Sequence, residues 1–296
     1  IGSEMSYKLF LRNLNKNKIV KNPYSLKIVA SLFKKRNRSL KCGSYKLDRD
    51  FSNIDFLNKI TKGEQDPVQI TIGYHETKEE LVKYLCKHLL FSENDITKFL
   101  NNENFLDKYN VNSNTVLTLF LPNTYQMYWN ITLENFFDRI YREFNVFWTK
   151  ERRKKAKEIN LTPNEVIILA SIVDKEIVRQ EEASAIAGVF INRLRKKMRL
   201  QSDPTTFYAK KYDPQENDGH SVMRGIKSKY NTYRYNGLPI GPICIPRLRT
   251  IDAVLNYEKH DFLFFVTAPD RSHHIFSQTY QGHLKNVNLT FRKGKK

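Results

Sequence analysis

A capped, almost wholly apolar helix constrains this chain more than any other segment. Thr162-Pro163-Asn164-Glu165 supplies an N-cap, a proline at the first helical position and a glutamate at the third. That is the pattern of a capping box, in which Thr162 and Glu165 each satisfy a backbone N–H. It predicts a helix over residues 163–180, whose early half is Val166, Ile167, Ile168, Leu169 and Ala170. A helix that is apolar around most of its circumference belongs at the centre of a core. Near its end stands Glu176, which follows Val173, Ile172 and Leu169 by three, four and seven residues. Those spacings share one helical face. A carboxyl held against apolar neighbours has its ionised form disfavoured and its pKa raised, which suits a proton donor near neutral pH. The competing reading is a helix-end glutamate that points to water.

The 296 residues suffice for two or three domains, and 40% hydrophobic with 27% charged residues places the chain among soluble globular proteins. Fifty Lys and Arg against 31 acids give a net charge of +19. So basic a chain favours polyanionic surroundings, whether nucleic acid, anionic lipid or an acidic wall polymer. Cys42, Cys86 and Cys244 are far apart and show neither metal-ligand spacing nor a disulfide framework, so they read as unreactive thiols. No apolar run reaches the roughly 18–20 residues of a membrane span. Ile1 to Glu4 read as a cloning scar or trimmed end, which leaves room for a signal or anchor before them.

Along the chain, the patterning predicts helices around 9–11, 28–33 and 53–61, with a turn and strand at 43–47. A strand at 68–72, helices at 77–90 and 92–100, and a strand at 115–121 form a second unit, loosely repeating the first. A long helix over 132–157 carries an aromatic stripe of core residues, among them Phe136, Phe137, Phe144 and Trp148. A helix over 181–197 ends in Arg193, Arg195, Lys196 and Lys197, read as a solvated basic end. Then come loops at 230–233 and 237–246, a helix at 249–258, a strand at 261–266 and a short strand or turn at 274–276. The end, 293–296, is expected to fray.

Several motifs follow one another in order: Ala170-Ser-Ile-Val-Asp-Lys-Glu176, Ala187-Gly-Val-Phe-Ile-Asn-Arg-Leu194, Met198-Arg-Leu-Gln-Ser-Asp-Pro-Thr205, Tyr230-Asn-Thr-Tyr233, Gly237-Leu-Pro-Ile-Gly-Pro-Ile243, Phe264-Phe-Val266 and His274-Ile-Phe276. In this order they resemble the endolytic murein transglycosylase (YceG-like) family, over about residues 160–285. Cys42-Gly-Ser-Tyr45 and Leu121-Pro-Asn-Thr-Tyr125 are similar to its N-terminal part, which resembles the small βααβ wall-binding fold called LysM. The resemblance implies an α+β protein with N-terminal LysM-like units followed by a mixed α+β catalytic domain. The division expected is 5–65 (an incomplete LysM-like unit), 66–125 (LysM-like), 126–160 (connecting helix) and 161–290 (catalytic). It implies a lyase that cuts peptidoglycan glycan strands internally, between N-acetylmuramic acid and N-acetylglucosamine, and leaves 1,6-anhydro ends.

The same resemblance makes Glu176 the catalytic acid, the residue that the helical face also selects. Asp174 is the motif's other acid and points elsewhere around the helix. Gln201, Asp203 and Thr205 are expected to bind sugar or position Glu176; the alternative for Asp203-Pro204-Thr205 is a helix or turn cap. Tyr230, Asn231 and Tyr233 are expected to stack on sugars and bind acetamido groups, the alternative being loop packing. His274 is either a ligand contact or a satisfied core histidine. Ile240, Ile245 and Arg247 depart from the family's usual loop residues. No cofactor and no metal are expected, since no carboxylate or thiolate completes a set with His273, His274 and His283. The implied partners are glycan strands and peptidoglycan synthases at the membrane, with an N-terminal membrane anchor absent from this chain. The implied location is the bacterial cell envelope, as a single-pass protein of the cytoplasmic membrane with its catalytic domain outside the cytoplasm. Two rivals remain: a muramidase-type hydrolase, and a non-catalytic module for wall or nucleic acid. Dispersed basic residues without a recognised motif argue against nucleic acid.

Overall fold

In the computed structural model, residues 1–2, 5–20, 22–47, 51–212 and 225–293 are described, the last three without side chains. Helix outweighs strand by 53% to 7%, so the protein is α+β with its strands confined to two local pairs among the described residues. The chain divides into two compact units.

The first unit comprises Ile1–Thr71, Val82–Ile96 and Thr124–Phe136. Its opening part is three helices, α1 (Tyr7–Lys16), α2 (Pro23–Lys35) and α3 (Asn53–Lys62). Each is started by a side-chain cap from Ser6, Asn22 or Ser52, and α3 is stopped by left-handed Gly63. Phe10, Leu14, Leu26, Ala30, Phe33, Phe56, Leu57 and Ile60 close a core between them. The strand expected at 43–47 does not form, and the loose repeat falls with it. Among the described residues no strand lies beside that segment; its backbone bonds instead to the loop after α3, with Lys46 N–H donating to Asp66 at 2.7 Å. β1 (Val68–Ile72) pairs with β2 (Asn123–Met127), and α4 (Lys78–His88), α5 (Glu93–Leu100) and α6 (Glu103–Asp107) lie between them in sequence.

The second unit comprises Ile72–Leu81, Thr97–Asn123 and Phe137–Lys296. The strand expected at 115–121 is instead a 3₁₀ turn, Val116–Leu119, buried at every position. A mostly apolar run fits a buried turn as well as a buried strand, so periodicity could not decide. The single helix expected over 132–157 is two, α7 (Leu133–Phe147) and α8 (Lys150–Glu158). Thr149 breaks it by capping α8 through the Arg152 N–H.

α9 (Pro163–Glu176) has the predicted capping box and buries every residue from Val166 to Asp174. It packs chiefly against α12 (Leu248–Leu255) and α10 (Ala183–Arg195), with α8 and α11 (Asp203–Tyr212) on other sides. Gly188 lets α10 lie against the chain that follows α12: a Cβ there would fall 2.5 Å from the Glu258 carbonyl oxygen. β3 (Phe264–Thr267) and β4 (His274–Ser277) form an antiparallel hairpin with Thr267 opposite His274. α13 (Tyr280–Lys293) packs on that hairpin. The frayed end expected at 293–296 lies, from Gly294 on, outside the described residues. Among the described residues no helix is long and apolar enough to cross a membrane.

Candidate active site

The last three residues of α9 are polar, and helical geometry fans them apart by about 100° each. Asp174 turns into the protein, where its carboxylate accepts from Arg247 Nε at 2.8 Å and from the Thr250 hydroxyl. Lys175 pairs with Glu76, whose other oxygen accepts from Tyr212 at the end of α11. Glu176 alone turns to the cavity described below. The helix stops there because Ile177 takes an extended conformation, four residues short of the expected end. Arg247, one of the departures from the family pattern, therefore serves as the partner of Asp174.

Glu176 is half-buried, and its Oε1 accepts a hydrogen bond from Ser202 Oγ at 2.5 Å. Ser202 is itself immobilised. Its backbone N–H donates to Thr232 Oγ1 at 3.0 Å, and its carbonyl accepts from Thr205 Oγ1 at 2.7 Å. The hydroxyls of Thr205 and Thr232 are 2.8 Å apart. Just before this knot, Gln201 stands at a φ of 52°, a left-handed backbone that costs a non-glycine residue energy. Burial raises the Glu176 pKa to about 7. The Ser202 hydrogen bond opposes that rise, the charge of Asp203 adds to it, and the Arg193 guanidinium opposes it.

A cavity of about 560 Å³ opens at Glu176. Gln201, Asp203 and Tyr233 line it beside Glu176, and Asp203 Oδ1 accepts from the Tyr233 hydroxyl at 2.6 Å. The hairpin, through residues such as Phe264, Thr267 and His274, and α13, through residues such as Tyr280 and His283, contribute further wall, with Arg193 and Leu200. His274 is both of the things the sequence allowed. It lies on the cavity wall, yet it is only 7% exposed and held by Glu182, which accepts from its backbone N–H at 2.6 Å and faces its Nδ1 at 3.1 Å.

Five of the eight expected residues therefore meet in one cavity: Glu176, Gln201, Asp203, Tyr233 and His274. Thr205, Tyr230 and Asn231 are not among the residues that line it; Thr205 is placed for the positioning role that the sequence allowed, and Tyr230 and Asn231 for loop packing. Thr205 is buried in the hydroxyl knot. Asn231 Nδ2 donates to the Ile226 carbonyl at 2.8 Å, and the Tyr230 ring packs on Tyr208. They shape the loop that presents Tyr233, whose N–H donates to Asn231 Oδ1 at 3.0 Å.

Two residues escaped the sequence reading. Ser202 sat unremarked inside the Gln201–Thr205 motif. Arg193 was read as part of a solvated helix end, and that is corrected: it is buried, donating to the carbonyls of Leu263 and Leu200 at 2.6 Å each and lying over the Phe264 ring. Its neighbours Arg195, Lys196 and Lys197 are exposed as expected. The place of Arg193 three residues after buried Phe190 was a local sign of this, but the carbonyls that bind it lie outside α10, Leu200 in the loop that follows and Leu263 seventy residues on.

Comparison with known proteins gives a consistent result. The sequence matches the YceG-like family over residues 1–289. It is 28% identical over 287 residues to the endolytic murein transglycosylase of Streptococcus pneumoniae (strain ATCC BAA-255 / R6), covering 86% of this chain and 51% of that protein. It is 24% identical over 290 residues to the endolytic murein transglycosylase of Bacillus subtilis (strain 168), covering 92% and 78%. The chain thus spans about half the length of the pneumococcal relative it matches. The crystal structure of a yceG-like protein from Listeria monocytogenes superposes with a TM-score of 0.62 at 25% identity, covering 96% of both chains.

Proposed function

This chain belongs to the YceG-like family, and on that premise we propose that it is an endolytic lytic transglycosylase of peptidoglycan. The observation that carries the proposal is Glu176: a carboxyl with a pKa near 7, held by Ser202 at the mouth of a cavity large enough for sugar units. Protonated Glu176 donates to the glycosidic oxygen between N-acetylmuramic acid and N-acetylglucosamine as that bond breaks through an oxocarbenium-like state. The resulting carboxylate takes the proton of the muramyl 6-hydroxyl as that oxygen bonds to C1 of the same sugar. The proton returns to Glu176, no water is consumed, and a 1,6-anhydro end is left. The nucleophile belongs to the substrate, so one carboxylate suffices. Ser202 steadies Glu176, while Gln201, Tyr233 and His274 contact the sugars.

A muramidase-type hydrolysis is the second reading, favoured by one observation: Asp203 is a second, exposed carboxylate on the same cavity. In that reading Asp203 holds a water. The pairing of β1 with β2 around α4, α5 and α6 supports a LysM-like wall-binding unit within 66–125, followed by a connecting helical segment at 126–160 and a catalytic domain at 161–290. The wider setting belongs to the same proposal: work in the cell envelope, beside peptidoglycan synthases, in a protein anchored in the cytoplasmic membrane.

The test is release of soluble fragments from purified peptidoglycan strands by this chain and by Glu176→Gln. Loss of about 10²–10⁴-fold in rate is expected for removal of the acid. Equal release by both proteins would remove Glu176 from the chemistry.

A further inference from the structure

The 43 residues from Met5 to Leu47 contain twelve Lys and Arg and no Asp or Glu. Twelve of the chain's net +19 thus come from this one stretch. Every described Lys and Arg in it is exposed. On α1, Lys8, Arg12 and Lys16 follow at i, i+4 and i+8 on the side opposite buried Phe10 and Leu14.

On α2 the same spacing, again turned away from the core, carries apolar groups. Tyr24 is 80% exposed, Ile28 66% and Leu32 52%, while Leu26, Ala30 and Phe33 fill the core face. Nothing about folding this helix requires the outer stripe to be apolar, since the inner face already supplies the core. A stripe of that kind is left uncovered only at a cost in solubility, so it marks a contact surface.

The two features together select the partner. A dissolved polyanion would bind the cations and leave the apolar stripe in water. A second copy of this chain could cover the stripe, but it would bring another acid-free, strongly basic face against the first. The headgroup region of an anionic bilayer satisfies both: apolar side chains enter the boundary between headgroups and acyl chains, cations sit at lipid phosphates, and tyrosine favours that depth.

We propose that the outer face of α2 is a docking surface for anionic phospholipid bilayers. It is built from the Tyr24–Ile28–Leu32 stripe and the exposed Lys27 and Lys35 that follow Tyr24 and Leu32 by three residues on the same helix. This surface belongs to the first unit and the Glu176 cavity to the second, and it does not rest on the reaction proposed there.

The test is co-sedimentation of the 296-residue chain with phosphatidylcholine vesicles and with vesicles of phosphatidylcholine and phosphatidylglycerol at about two to one. Binding is expected only to the phosphatidylglycerol vesicles. The triple variant Tyr24→Ser, Ile28→Ser, Leu32→Ser keeps every charge and should bind about tenfold more weakly or worse. Its melting temperature should match the parent, since the three side chains are exposed. Tyr24→Trp should emit at shorter wavelength on these vesicles than in solution and be quenched by brominated acyl chains. Failure to bind the phosphatidylglycerol vesicles would overturn the proposal. So would equal binding by the triple variant, which would reduce the effect to adsorption by charge. If the triple variant converts a dimer into a monomer in sedimentation velocity, the stripe belongs to a second copy and the proposal falls.

Discussion

Glu176 is held between two opposing influences. Burial favours the acid, and the Ser202 hydroxyl favours the carboxylate. Because the proposed reaction needs the protonated form, kcat/KM should fall as pH rises through about 7. Replacing Ser202 with Ala removes the bond that favours ionisation, so the falling limb should move to higher pH. A limb centred near the ordinary glutamate value of 4.5 would contradict this environment. The same shift acts on stability. Below 4.5 the carboxyl is protonated in folded and unfolded chains alike; as pH rises to about 7 only the unfolded chain ionises, so folding stability declines. Ionised Glu176 above pH 7 then costs on the order of 3 kcal/mol. Glu176→Gln should therefore be more stable than the parent by urea denaturation at about pH 8, and scarcely different at about pH 4. Equal stabilities at both pH values would show that Glu176 points to water after all.

α9 positions that carboxyl, and its hold on α12 is what fixes α9. Asp174 is buried and pairs with the partly exposed Arg247, completed by buried Thr250. Asp174→Ala leaves the Thr250 hydroxyl without its acceptor and frees Arg247 to water, and should cost about 1–3 kcal/mol in urea denaturation. A loss under about 0.5 kcal/mol would show the pair to be incidental. At this scale much of the protein was legible in its sequence. The Thr162–Glu165 box, the apolar run after it and the Glu176 face were all local patterns, and each survives folding. What local pattern could not carry was the partner of each polar group. Arg193 looked like its exposed neighbours because its acceptors, the Leu200 and Leu263 carbonyls, come from loops outside α10. Tyr230 and Asn231 read as sugar contacts or as loop packing, because chemistry, not burial, was all the sequence showed. The 3₁₀ turn at Val116–Leu119 and the break at Thr149 were missed for a related reason. An apolar run and an aromatic stripe say what is buried, but not which backbone path buries it.

Across the whole molecule, the proposed reaction joins a half-buried proton donor to a substrate that supplies its own nucleophile. The second carboxylate on the cavity, Asp203, is what a hydrolase would need, so the nucleophile's identity decides between the two readings. The net charge of +19 belongs to this scale too. If anionic stem peptides and muramyl carboxylates are what it attracts, KM for strands should rise with salt while kcat stays level. An unchanged KM would leave the charge without a role in substrate capture. The most direct measurement is cleavage of purified glycan strands in ¹⁸O-labelled water, with the new ends weighed by mass spectrometry. The account predicts ends one water lighter than reducing ends, free of label, and absent with Glu176→Gln. Reducing ends that carry one ¹⁸O atom would contradict it and make the enzyme a hydrolase served by Asp203.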